Sequence, residues 1–88
     1  MAWTIEYSEP ARKTLKRLDR KTAKRIIDFM DTRVAVADNP RRIGKALQEP
    51  LDRYWAFRVG DYRAICELKD DILNVLALKI GHRSDVYR

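Results

Sequence analysis

The sequence predicts an α+β fold in the order strand-helix-helix-three strands, an antiparallel-dominated sheet with two helices packed on one face. Three observations carry that expectation. Apolar residues alternate at the start of the chain and again over its last third, the pattern of strands with one buried face. Between these regions they recur every three to four positions, as on an amphipathic helix. Capping and turn residues mark each change of period. A length of 88 residues matches one domain, 1–88, with a modest core between two packed layers.

Taken in order, "AWTIEY" at 2–7 alternates and carries strand formers. Ser8 is placed to cap a helix, with Pro10 in the first turn, where its missing N–H costs nothing. Ala11, Leu15 and Leu18 follow at helical spacing. Asp19 caps a second helix, whose apolar stripe runs through Ala23, Ile26, Ile27, Met30 and Val34. "DNP" at 38–40 closes it, because the residue before a proline is pushed out of the helical region. Residues 41–50 read as a connecting loop. Three strands complete the chain, at about 53–59, 62–68 and 72–80. Their turns are Gly60-Asp61 and Asp70-Asp71, with Gly60 suited to the first position of a type II′ turn. Gly81 is expected to end the last strand. One sheet face then meets the helices and the other is left free.

Composition narrows the function. An apolar content of 45% argues against disorder, and a net charge of +6 points to a polyanion or an acidic protein partner. No window approaches the ~18 uninterrupted apolar residues of a membrane span. The N-terminus lacks the basic and long apolar regions of a secretory signal. One cysteine, Cys66, and one histidine make neither an internal disulfide nor a metal-ligand cluster. The default is a cytoplasmic protein with no cofactor.

Within that frame one hexamer poses a problem. In "RVGDYR" (58–63) a two-residue turn at Gly60-Asp61 sets Arg58 directly opposite Arg63. Like charges placed so are destabilising by a few tenths to ~1 kcal/mol. The same register pairs Val59 with Tyr62, Phe57 with Ala64, Ala56 with Ile65 and Trp55 with Cys66. Trp55, Phe57, Val59, Tyr62, Ala64 and Cys66 then face the helices, and Tyr54, Ala56, Arg58, Arg63 and Glu67 fall on the other side.

Basic residues also crowd the helices. "RKTLKRLDRKTAKR" (12–25) holds eight Lys/Arg and one Asp, more positive charge than the chain's net +6. Arg12, Lys16, Arg20 and Lys24 are four apart, and so are Lys13, Arg17, Lys21 and Arg25. Such a stripe serves either as a solvated helix face or as a surface that tracks phosphates. At the C-terminus, "GHRSDVYR" gathers His82, Arg83, Tyr87 and Arg88. A histidine and a tyrosine beside guanidiniums suit proton exchange.

"RVGDYR" followed some twenty residues later by "GHRSDVYR" resembles the RelE branch of the RelE/ParE toxin superfamily, over nearly the whole chain. The resemblance implies the same strand-helix-helix-three-strand fold. It implies the toxin of a type II toxin–antitoxin system, a ribosome-dependent and metal-independent endoribonuclease (an mRNA interferase). Such toxins enter the ribosomal A site, against small-subunit rRNA, and cut mRNA by attack of a 2′-hydroxyl on the adjacent phosphate. A cognate antitoxin is the implied protein partner, and no membrane is involved. By the same resemblance Arg63 stabilises the attacked phosphate, and Arg83 binds that phosphate or the leaving group. Tyr87 orients or deprotonates the 2′-hydroxyl or stacks on a base, and His82 takes part in acid–base work. Arg58, with Arg12, Lys13, Lys16, Arg17, Arg20 and Lys24, completes the RNA-binding set. The chain departs from well-studied members in having Ala56 at a position where they carry a basic residue. Two alternatives belong to other classes: a ParE-like poison of DNA gyrase, and a non-catalytic nucleic-acid-binding module.

Overall fold

The computed structural model describes residues 2–82. Thr4–Tyr7 form strand β1, followed by helices α1 (Glu9–Arg17) and α2 (Arg20–Phe29). A π-helical turn, Met30–Val34, continues α2, and a 3-10 turn spans Pro40–Arg42. Then come β2 (Lys45–Ala46), β3 (Trp55–Val59), β4 (Tyr62–Lys69), a 3-10 turn (Asp70–Ile72) and β5 (Asn74–His82). The sheet order is β1-β5-β4-β3-β2, antiparallel except for the parallel pair β1–β5. The two helices pack on one face of a mostly antiparallel sheet, as expected.

Local chemistry explains the helices. Ser8 Oγ accepts from the N–H of Ala11 at 3.2 Å and donates to the carbonyl of Leu78 at 2.7 Å, so one cap also ties α1 to β5. Asp19 accepts from the Thr22 N–H at 3.1 Å and from its hydroxyl at 2.6 Å, which holds the Asp19 carboxyl below its usual range. Between the helices the chain extends at Leu18 and Asp19, so they are two rods rather than one. Helical winding stops at Val34, four residues before "DNP". There Asn39 instead caps the 3-10 turn, accepting from the Arg41 N–H at 3.2 Å.

The core lies between sheet and helices. Phe57, Ile26, Met30, Val34, Val75 and Cys66 are fully buried, with Ala64, Ala77 and Ile80 beside them. These side chains come from alternate positions on β3 and β4, from Val75, Ala77 and Ile80 on β5, and from the apolar stripe of α2 and its π turn. Truncating a buried ring such as Phe57 costs about 3–5 kcal/mol. Burial also pushes the Cys66 thiol pKa well up, as befits a small core residue.

Four further expectations need correction. Residues 41–50 do not form a plain loop: Lys45 and Ala46 pair with Ala56 and Trp55, adding a fifth strand at the edge. Nor is the second sheet face wholly free. Ala56 and Ile65 are buried on it at 4% and 7% exposure, covered by Leu47 and Tyr54. The turn after β4 is a 3-10 turn closed by Leu73 in the left-handed region (φ 48°), so β5 begins at Asn74. Finally, β5 runs through Gly81 to His82, since Gly81 pairs with Arg63 and His82 with Tyr62.

Candidate functional site

The β3–β4 hairpin has the predicted register. Val59 pairs with Tyr62, Arg58 with Arg63, Phe57 with Ala64, Ala56 with Ile65 and Trp55 with Cys66. Gly60 has φ +61° and Asp61 does not share a positive φ, the combination of a type II′ turn rather than type I′. Arg58 and Arg63 therefore share the face away from the helices, Arg58 exposed and Arg63 half-buried. Arg58 Nε donates to the Gly60 carbonyl at 3.2 Å, which turns its guanidinium along the hairpin.

Two further cations join them. Lys45 pairs with Ala56 across the β2–β3 ladder, and Lys79 pairs with Ile65 across β4–β5, so both stand on the same face as the arginines. Lys45, Arg58, Arg63 and Lys79 thus surround the small apolar spot made by Ala56 and Ile65. Sequence reasoning missed both lysines. Lys45 lies in a two-residue strand too short to show alternation. Lys79 had a legible signal: with Ile80 directly after it, the apolar alternation of "VLALKI" slips by one. The basic residue missing at position 56 has its physical reason here too, since Leu47 covers that position and Lys45 places a cation directly across from it.

Two clefts open on this face and meet at Lys45 and Arg63. The smaller, about 220 Å³, is lined by Gly44, Lys45, Ala56, Arg58 and Arg63 among others. The larger, about 470 Å³, runs from Lys45 and Arg63 along residues 46–51. The segment that walls them is pinned from outside. Both Nη atoms of Arg41 donate to the Asp70 carboxylate, at 2.9 and 2.6 Å, and the Arg41 guanidinium lies 5.7 Å from the Trp55 ring centre. The bidentate pair holds the Asp70 carboxyl below its usual range and raises the Arg41 guanidinium pKa.

His82 is placed differently. A β-bulge at Leu78, between the Ile65–Lys79 and Cys66–Ala77 pairs, shifts the phase of β5 and puts Ile80 and His82 on the helix side. There His82 meets the edge of the Tyr62 ring, with centroids 5.6 Å apart and planes at 87°. So the structure brings Arg58 and Arg63 together and sets His82 across the sheet from them, at the same strand end. Arg83 and Tyr87 lie outside the described residues. The predicted helix cations, Arg12, Lys13, Lys16, Arg17, Arg20 and Lys24, are all on the helix side and all exposed. Lys13 pairs with Glu9 at 3.4 Å and Lys24 with Asp28 at 3.2 Å. Lys13 and Arg17 also line a cleft of about 520 Å³ beside Leu78 and Lys79, so positive charge continues from α1 around β5 to the arginine face. Among the described residues no group of three His, Cys, Asp or Glu side chains is gathered as for a metal ion, and no helix is long and apolar enough to cross a membrane.

An open sheet with a cationic face, backed by two basic helices, has known counterparts. The family described as "ParE toxin of type II toxin-antitoxin system, parDE" matches residues 5–87, and the chain belongs to it. It is 30% identical to Toxin RelG of Mycobacterium tuberculosis over 91 aligned positions, covering 100% of this chain and 99% of that one. With Toxin RelE of the same organism it shares 33% identity over 84 positions, 96% of this chain and 84% of the relative. Its fold matches a chain in the crystal structure of the toxin–antitoxin complex RelBE2 from M. tuberculosis. That match has a TM-score of 0.86 at 26% identity and covers 97% of this chain and 95% of the other. The RelE-like fold and the toxin class read from the two motifs are thereby established.

Proposed function

We propose that this toxin is a ribosome-dependent, metal-independent endoribonuclease that cuts mRNA in the A site. The observation that carries the reading is the Arg58–Arg63 cross-strand pair, held on an open sheet face beside Lys45 and Lys79. In cleavage by its own 2′-hydroxyl, RNA loses that proton while the oxygen attacks the adjacent phosphorus. A 2′,3′-cyclic phosphate forms and the 5′-oxygen leaves with a proton. Negative charge builds on the phosphoryl oxygens as this happens. Two neighbouring guanidiniums supply forked donors to those oxygens, and their mutual repulsion is relieved as the phosphate arrives. Arg63, half-buried between the two clefts, is the principal phosphate ligand, and Arg58 is its exposed partner.

Proton transfer is assigned to His82 and Tyr87, with Arg83 as a further phosphate ligand. Because His82 is on the helix side of the strand end, its use at this phosphate requires the RNA to wrap around the end of β5. Holding RNA in that shape is a task for the ribosome, and an in-line geometry supplies much of the rate. The helix cations, Arg12 to Lys24, suit contact with small-subunit rRNA. A cognate antitoxin is the expected protein partner, as the RelBE2 complex suggests, and the toxin would act in the cytoplasm.

Mapping transcript ends after brief induction in cells tests the reading. The wild type should give cuts confined to translated regions, and Arg63→Ala should lower cutting by roughly 100-fold or more with ribosome binding kept. Intact messages from the wild type would refute it. The ParE description of the family favours one second reading, a DNA gyrase poison, for which a supercoiling assay run alongside would show inhibition and gyrase-linked DNA breaks. A non-catalytic binding module would instead lose only affinity in Arg63→Ala.

A further inference from the structure

The larger cleft has a chemistry that phosphate binding alone leaves unused. Its floor is cationic, at Lys45 and Arg63, and those two residues also line the smaller cleft that holds Arg58. Its wall is apolar, from Leu47, Pro50 and Leu51, and Leu51 stands 39% exposed. Gln48 and Glu49, both exposed, line it as well. Glu49 is the one anion among the described residues that line either cleft.

From this we infer that residues 47–51 form a nucleobase subsite, which receives an amino-bearing base attached to the phosphate held by Arg58 and Arg63. The inference rests on the RNA-cutting reading for its ligand and adds where that ligand's base goes. Glu49, which can only accept hydrogen bonds, offers a bare phosphate or an acidic peptide no contact, so the mixed lining fits a ligand that is anionic at one end only. A nucleotide has that division. Its phosphate meets the arginines, its flat ring lies along the apolar wall, and its polar edge reaches the amide and carboxylate. Ionised carboxylates only accept hydrogen bonds, and Gln48 both donates and accepts. The exocyclic amines of cytosine, adenine and guanine donate to such a carboxylate, whereas uracil presents carbonyl oxygens in their place. The volume, about 470 Å³, lies within the ordinary range for small-ligand sites.

The test is a titration of the isotopically labelled full chain with 2′-O-methyl trinucleotides of cytosine or of uracil and with an abasic analogue of the same backbone. The cytosine trinucleotide should shift the Gln48 side-chain amide and Leu51 methyl signals. It should bind roughly tenfold tighter than the uracil one, the scale of one good base-edge contact. The abasic chain should perturb the Arg58 and Arg63 signals and leave residues 47–51 still. Glu49→Gln, an exposed substitution, should erase the preference for cytosine while leaving abasic binding unchanged. Equal binding of all three probes, a silent loop, or a preference that survives Glu49→Gln each overturns the subsite. Loop shifts with no cutting of translated transcripts would leave the subsite standing and remove the nuclease reading. Cutting with a silent loop would do the reverse.

Discussion

Tyr7 shows how one residue records its surroundings. It belongs to β1, packs against the core, and its hydroxyl is buried without a hydrogen-bond partner among the described residues. Burial first, then the nearby Asp31 carboxylate, pushes its pKa up to about 12 from 10.0. A folded-state pKa raised in this way gives stability that is complete below the unfolded value and lost as pH rises through the folded one. The window is therefore pH 10 to 12. Tyr7→Phe should remove the alkaline loss across that window. At neutral pH it should raise stability by about 1 kcal/mol, since the buried hydroxyl leaves with no bond to lose. Denaturant titrations of both proteins at about pH 7 and about pH 11 check this, and an unchanged alkaline slope would count against the burial argument. At the same scale, Arg58 and Arg63 stand out by an unfavourable pairing that the two turn residues between them dictate.

Among the elements, the β3–β4 hairpin and the β2 edge set the geometry of the arginine face. Gly60 holds φ +61° in the turn, and a Cβ there would also approach Arg25 Nη1 to 2.9 Å. The arginine tip can swing away, but the left-handed backbone remains, so Gly60→Ala should cost roughly 1–2 kcal/mol. Gly44 is constrained differently. Its Cβ would meet the Phe57 ring at 2.9 Å and the Ala56 carbonyl at 3.3 Å. Phe57 is fully buried and cannot yield, so Gly44→Ala should cost about 1–3 kcal/mol as overpacking. Urea unfolding of the two variants measures both, and a Gly44→Ala protein as stable as the parent would mean that β2 is not seated on the Phe57 ring. The hairpin was legible because glycine before aspartate, flanked by alternating residues, names its own turn and register. The β2 edge was not, for two residues carry no period and their pairing is decided by the strand they lie against.

Across the whole molecule, charge is divided between two sides. Lys45, Arg58, Arg63 and Lys79 occupy the open sheet face, and the longer cationic run from Arg12 to Arg25 occupies the helices. Binding of a short single-stranded RNA should report the sheet face alone. Lys79→Ala should reduce the log–log salt slope by about 0.7, the share of one single-strand phosphate contact, while Lys24→Ala leaves it unchanged. Equal loss of slope from both would assign the RNA path to the helices instead. For the intact ribosome, the helix cations should weigh more.

Sequence by itself determined the order of the elements other than the β2 edge, both helix caps, the hairpin register and the opposition of Arg58 and Arg63, because each depends on neighbours a few residues apart. Tertiary structure alone decided that β1 lies parallel to β5, that Leu47 and Tyr54 cover Ala56 and Ile65, and that His82 sits behind the sheet. The last follows from a single extra residue at Leu78. In a strand, one unpaired residue reverses the face of everything after it, and whether it is left unpaired depends on how the two strands meet.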